Sequence, residues 1–258
     1  MNSSDDVRQV KDWGGIIAAF ALVLVVNGMA NAIPLGGQTT GEVSAQYPTL
    51  FTPAGFTFSI WGLIYLLLAA FAIWQALPAQ RGSARIASIS GLFIANCLAN
   101  AAWIFVWHYD LLWLSVLLMI AILLTLVQIY RTLDSAGPPA SVTEWVLLRL
   151  PFSIYTGWIT VATIANLSCL QYAMGWDNAG LSVLDWTLLK LAVAGAIGAI
   201  VVLRKGDVAY VLVIAWAAFG VASRQVATPE VVGAATVLSI AAILLALWSS
   251  VSKAGKAA

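Results

Sequence analysis

Charge is what this chain has least of. Lys and Arg number 12 and Asp and Glu 11 among 258 residues, 9% in all, where soluble domains carry about a quarter. Such scarcity excludes a water-soluble domain. With a net charge of +1 there is also no basic surface for nucleic acid. His108 is the only histidine, which excludes a multi-histidine metal site and argues against a nucleophilic triad with a His base. The acidic residues lie mostly between the apolar runs and form no close carboxylate pair within one. Cys97 and Cys169, the only cysteines, both fall inside apolar runs and read as packing residues, silent on redox compartment. Alternating ten-residue patterns are absent, which argues against a transmembrane β-barrel. No internal repeat stands out, which removes one usual pointer to a secondary transporter.

What fills the chain instead is apolar sequence. Hydrophobic residues make up 62% and the mean hydropathy is +0.94, the composition of an all-α integral membrane protein. A helix needs about 20 residues to cross roughly 30 Å of hydrocarbon. Runs of that kind fall near Trp13 to Ala32, Phe56 to Leu77, Ile86 to Trp107, Leu111 to Leu133, Trp145 to Leu170, Leu181 to Leu203, Val208 to Ser223 and Val231 to Val251. That predicts about eight helices, the seventh being the shortest.

Basic residues follow a side. Arg8 and Lys11 precede the first span, Arg81 and Arg85 separate the second from the third, and Arg131 and Arg149 flank the loop after the fourth. Arg204 and Lys205 follow the sixth, Lys253 and Lys256 end the chain, and the remaining loops hold only Arg224. By the positive-inside rule both termini are expected on the cytoplasmic side of a cell (inner) membrane, with the first loop outside. The first span has a second reading as a cleaved signal peptide, with Ala30-Asn31-Ala32 as the small-residue site. Asp5, Asp6 and Asp12 beside Arg8 and Lys11 make a poor positive leader for one. The loop from Pro34 to Pro53, rich in Gly, Thr and Pro, reads either as a lid over a pocket or as an ordinary exposed connection. Gly137-Pro138-Pro139 marks a plain cytoplasmic linker.

Polar residues inside the spans carry what chemistry there is. Trp61 and Tyr65, four apart, share a face of the second helix behind Pro53 and Ser59. Asn96, Asn100, Trp103 and Trp107 form one stripe on the third, and Tyr155, Trp158, Ala162 and Asn166 another on the fifth, with Thr156, Thr160 and Thr163 beside it. Buried asparagines in membranes commonly tie helices together, at about 0.6 to 2 kcal/mol each. Several inward Trp and Tyr rings from three helices are the lining expected of a flat-walled cavity for a planar apolar ligand.

In these patterns the chain resembles the translocator, or tryptophan-rich sensory, protein family (TspO/MBR). That family's second helix follows a Pro-containing turn with a Trp eight residues on and a Tyr four further, matched by Pro53, Trp61 and Tyr65. Its third helix carries Asn-x-x-Trp, matched by Asn100 and Trp103, and its fifth a Trp eight residues before an Asn, matched by Trp158 and Asn166. The resemblance implies a TspO-like five-helix bundle over residues 1–172. Its pocket would receive a tetrapyrrole, whether porphyrin or haem, or another hydrophobic small molecule. The ligand-binding set would be Trp61, Tyr65, Asn100, Trp103, Trp158 and Asn166. It implies a sensor, receptor or carrier, with pairing into homodimers, and no required cofactor.

The chain also departs from the pattern. Gly55 stands where the family has an aromatic ring at the pocket entrance, leaving Phe56 as the nearest one; if that ring supports the light-dependent porphyrin breakdown attributed to some members, an enzymatic role is disfavoured here. Pro151 lies about one turn further from Trp158 than the family spacing, which predicts an insertion or a local bulge. Residues 173–258 supply three additional C-terminal helices, so secondary transport of a small solute through them, using Lys190, is the alternative function. Lys190 inside the sixth span costs roughly 2.5 to 3.5 kcal/mol on insertion scales unless it snorkels or finds a partner; Asp185, five residues earlier, is poorly placed to be that partner. His108 reads as an interfacial residue beside Trp107 and Tyr109 or as a single axial ligand to haem iron.

Overall fold

In lipid, every backbone donor and acceptor must be satisfied within the segment that crosses, so apolar runs of this length have to be helices. The computed structural model describes residues 8–33, 35–176 and 178–257. Asp5 and Asp6 of the leader, Pro34 of the first loop, and the side chains of Asn31 and Lys256 lie outside that description. Eight long helices follow in order: α1 (Val10–Ala32), α2 (Ile60–Trp74), α3 (Ala84–His108), α4 (Leu112–Ser135), α5 (Leu150–Ala173), α6 (Val183–Lys205), α7 (Val208–Arg224) and α8 (Pro229–Ala257). No strand occurs among the described residues. Among the described residues seven stretches are long and apolar enough to cross a membrane, and α7, at 17 residues, is a shorter apolar helix.

Local sequence explains the ends. Ser83, Ser182 and Asp207 each accept a backbone N–H at the start of α3, α6 and α7, and Asp185 completes a capping box with Ser182. Asp185 is thereby committed to the helix end and is no partner for Lys190. Gly206 closes α6 at φ 64°, a left-handed conformation that only glycine takes without strain, so α6 and α7 meet in a two-residue turn. The expected bulge ahead of Pro151 is a π-helical turn over Trp145–Arg149. Proline has no N–H to give and its ring collides with the carbonyl four residues back, a conflict that a π turn relieves.

Two compact units make up the chain. The first is Met1–Thr40 with Trp61–Thr156, the second Gly41–Ile60 with Gly157–Ala258. The division by packing falls inside α5: residues 41–60 and the C-terminal part of α5 group with α6, α7 and α8, for reasons visible in the second unit's contacts.

Within the first unit α3 packs against α1 and α4. Phe20, Phe71, Phe93 and Phe152 form its apolar centre, with ring centroids 5.2 to 6.4 Å apart in tilted and edge-on pairs. Asn96 donates to the carbonyl of Ile122 at 3.1 Å and to the Thr125 hydroxyl at 2.9 Å, tying α3 to α4. Arg8, ahead of α1, is buried: its guanidinium donates to the Gln75 carbonyl (3.0 Å) and side chain (2.5 Å), and burial pushes its pKa below the ordinary value while Asp12 opposes the shift. The linker at Gly137 is more than a plain connection. Arg85 pairs with Glu144 at 2.6 Å and donates to Ala136, while Arg149 donates to the carbonyls of Leu133 and Gly137.

Within the second unit α7 is wrapped by its neighbours. Val211 and Ala215 of α7 join Val202 of α6 and Ala242 and Ala246 of α8 in one buried cluster. Small residues let the backbones close in: a Cβ on Gly198 would sit 3.1 Å from Ile214, and one on Gly157 of α5 3.1 Å from the Tyr210 carbonyl. Ser239 of α8 donates to the Ala215 carbonyl at 3.0 Å, and Thr160 of α5 shares a hydrogen bond with the Tyr210 hydroxyl at 2.7 Å.

Candidate ligand site

The inward stripes of the first unit meet one another. Trp61 and Tyr65 stack at 5.3 Å with 21° between their planes, and Tyr155 approaches Trp61 edge-on at 5.8 Å. Behind the rings runs a relay of polar groups. Tyr65 donates its hydroxyl proton to Asn27 Oδ1 at 2.6 Å, Asn27 Nδ2 donates to Asn100 Oδ1 at 3.0 Å, and Asn100 Nδ2 donates to the Tyr155 hydroxyl at 2.8 Å. Asn27, Asn100 and Tyr155 are all buried. Satisfied in this way, the relay holds α1, α2, α3 and the start of α5 in register. Trp103 stacks on Trp107 at 5.5 Å, and Trp107 Nε1 donates to the Thr40 carbonyl at 3.2 Å. His108 is buried at the end of α3, with Nδ1 2.8 Å from the Ile104 carbonyl, which places it in the packing rather than at an exposed interface. Among the described residues no group of three His, Cys, Asp or Glu is arranged to hold a metal.

Trp158 and Asn166 are buried on the half of α5 that belongs to the second unit, where Phe58 packs edge-on against Trp158 at 6.0 Å. Of the six residues expected to line a pocket, Trp61, Tyr65 and Asn100 are thus brought together by direct contacts or through Asn27. Asn27 escaped the sequence reading, although an asparagine in the middle of the first span was a visible signal.

The first loop is fastened to α7. Ala54 N–H donates to the Gly220 carbonyl at 2.9 Å, Trp216 Nε1 to the Thr57 carbonyl at 3.0 Å, and Gln225 Nε2 to the carbonyls of Thr49 and Thr52 at 3.2 and 3.0 Å. Phe56 packs on Trp216 and Phe219 with centroids 5.5 and 5.8 Å away. A Cβ on Gly220 would overlap the Thr57 side chain, so only glycine lets the loop sit this close.

Under the stretch of loop from Pro48 to Phe51 lies a cavity of about 560 Å³, walled by the C-terminal end of α5 and the first turns of α6. Trp176 and Trp186 form its aromatic side, 5.0 Å between centroids, and Trp186 is fixed by donating to the Asn178 carbonyl at 2.6 Å. Lys190 enters the same space and donates to Gln171 Oε1 at 2.7 Å. None of Gln171, Trp176 and Trp186 was singled out from the sequence: Gln171 follows no stripe, and Trp176 and Trp186 lie beyond the expected core.

Residues 14–248 match the family described as TSPO-like protein. The chain belongs to that family. The match covers α6 and α7 and most of α8 as well as the earlier helices. Neither a curated protein nor a solved structure matches the chain. The TSPO-like chain is an all-helical, multi-pass membrane protein, and its family is one of hydrophobic-ligand binding.

Proposed function

We propose that this TSPO-like protein is a membrane receptor or carrier for a hydrophobic aromatic ligand such as a tetrapyrrole, with both termini on the cytoplasmic side of the inner membrane. The observation that carries the reading is the cavity beneath the first loop. Its volume of about 560 Å³ falls among small-molecule sites, which run from about 300 to 1,000 Å³. Its walls pair aromatic rings with a few polar groups, the composition such sites favour. Trp61, Tyr65, Asn100, Trp103, Trp158 and Asn166 are proposed as further ligand contacts on the strength of the family pattern alone.

Titrating the purified protein with protoporphyrin and following Trp emission tests both parts. Saturable quenching that weakens with Trp186→Ala and survives Trp158→Ala locates the ligand in the cavity. The opposite pattern locates it at the family's stripe, and no saturable quenching in the wild type counts against the reading as a whole.

Solute transport is the second reading, favoured by the presence of Lys190 in the cavity wall. Uptake into proteoliposomes that disappears with Lys190→Ala supports it.

A further inference from the structure

Lys190 is the eighth residue of α6, about 10 Å along the axis from its first residue at 1.5 Å per residue. An ammonium so placed is costly in a lipid-facing helix, and a long side chain there would ordinarily reach for the nearer water layer. This one is half-buried and points into the cavity, where its recorded partner is the neutral amide of Gln171. An ammonium carries three donors, and one amide oxygen leaves room for more. The neighbouring Thr187 and Ser168 hydroxyls donate to the carbonyls of Val183 and Ile164, both at 2.8 Å, which leaves them no proton to offer an anion. Among the described residues no carboxylate is found paired with Lys190, and Asp185 serves the helix cap instead.

Apolar and aromatic side chains share the cavity wall with this charge, the Trp176 and Trp186 planes at 56° to one another. Phe51 and Leu50 descend from the loop, Val183 rises from α6, and the Trp176 and Trp186 rings stand side by side. A cationic head at one place and aromatic walls around it describe a ligand with two ends.

We propose that the cavity is a binding site for an amphipathic anion, a carboxylate or phosphate group on an apolar, preferably planar, body, with Lys190 and Gln171 as the anion-recognising pair. This rests on the reading of the cavity as a ligand site and adds the charge of what enters it. The anion meets the half-buried lysine through a charge-assisted hydrogen bond, which is stronger than a neutral one. Trp176 and Trp186 take the body, and the loop segment from Pro48 to Phe51 covers it.

The test uses the full-length protein in phosphatidylcholine nanodiscs with two probes that differ only in charge, pyrenebutyrate and its methyl ester, read by quenching of Trp emission. The acid is expected to bind about tenfold or more tightly than the ester, the equivalent of one charge-assisted hydrogen bond. Lys190→Met should bring the acid down to the affinity of the ester while leaving the ester unchanged. Lys190→Arg should keep the preference, which guards against a variant that simply misfolds. Equal affinity of acid and ester for the wild type, or an acid affinity indifferent to Lys190→Met, overturns the anionic assignment while the ligand-site reading stands. No saturable quenching by either probe overturns both. Mass spectrometry of what the wild type retains from its own membrane and Lys190→Met does not then separates the sources. A retained free acid identifies a soluble amphiphile, and a retained acidic phospholipid identifies a lipid headgroup.

Discussion

Asn27 and Asn100 show what a polar side chain does where water is absent. Each is caught between a tyrosine hydroxyl and the other asparagine, so removing one leaves buried partners unsatisfied, at about 1 to 3 kcal/mol. Asn100→Ala is expected to destabilise the detergent-solubilised protein by that amount in thermal or denaturant unfolding. Because the two asparagines serve one relay, Asn27→Leu combined with Asn100→Leu should cost clearly less than the sum of the single changes. Additive losses would show that they act independently. The relay was half legible beforehand. Tyr65, Asn100 and Tyr155 could be read from helical spacing, since residues on one face recur every three to four positions. Asn27 could not be joined to them, because spacing along one helix says nothing about which neighbour its face will meet.

The first loop is the element whose behaviour the sequence left open. Its composition allowed either a lid or an exposed connection, and three separate attachments to α7 decide for a fastened cover within the second unit. Gln225 is the attachment nearest the cavity, since it holds the carbonyls on either side of Leu50 and Phe51. Gln225→Ala should therefore raise amide hydrogen exchange over residues 49–54 severalfold with little change in the exchange of α7 itself, because local opening costs less than global unfolding. Exchange that stays unchanged would mean that Ala54 and Trp216 hold the loop unaided. The π turn before Pro151 belongs to the same scale. A spacing mismatch of one turn predicted a bulge, and the chemistry of proline says why it precedes the residue.

At the scale of the whole molecule, basic residues and packing carry separate messages. The side of the membrane is set by Lys and Arg near the helix ends, so a reporter active only in the cytoplasm should work when fused after Lys253 and fail when inserted in the first loop near Gln46. The reverse would invert the topology. Packing divides the chain differently from chain order: α5 is shared between the two units, and residues 41–60 sit with the C-terminal helices. The explanation lies in α7. At 17 residues it is short for a span, and it is lined with small side chains that invite α5, α6, α8 and the loop to close around it.

By itself the sequence determined the class, the approximate number of helices and membership of the TSPO-like family, because hydrophobic length and spacing are local properties that a bilayer enforces segment by segment. Only the tertiary structure decided which polar groups satisfy one another, that the first loop is tied down by Gly220 and Gln225, and that Lys190 opens into a cavity with Gln171, Trp176 and Trp186. Those facts depend on residues far apart in the chain meeting across helices, and no periodicity within one helix encodes its partner.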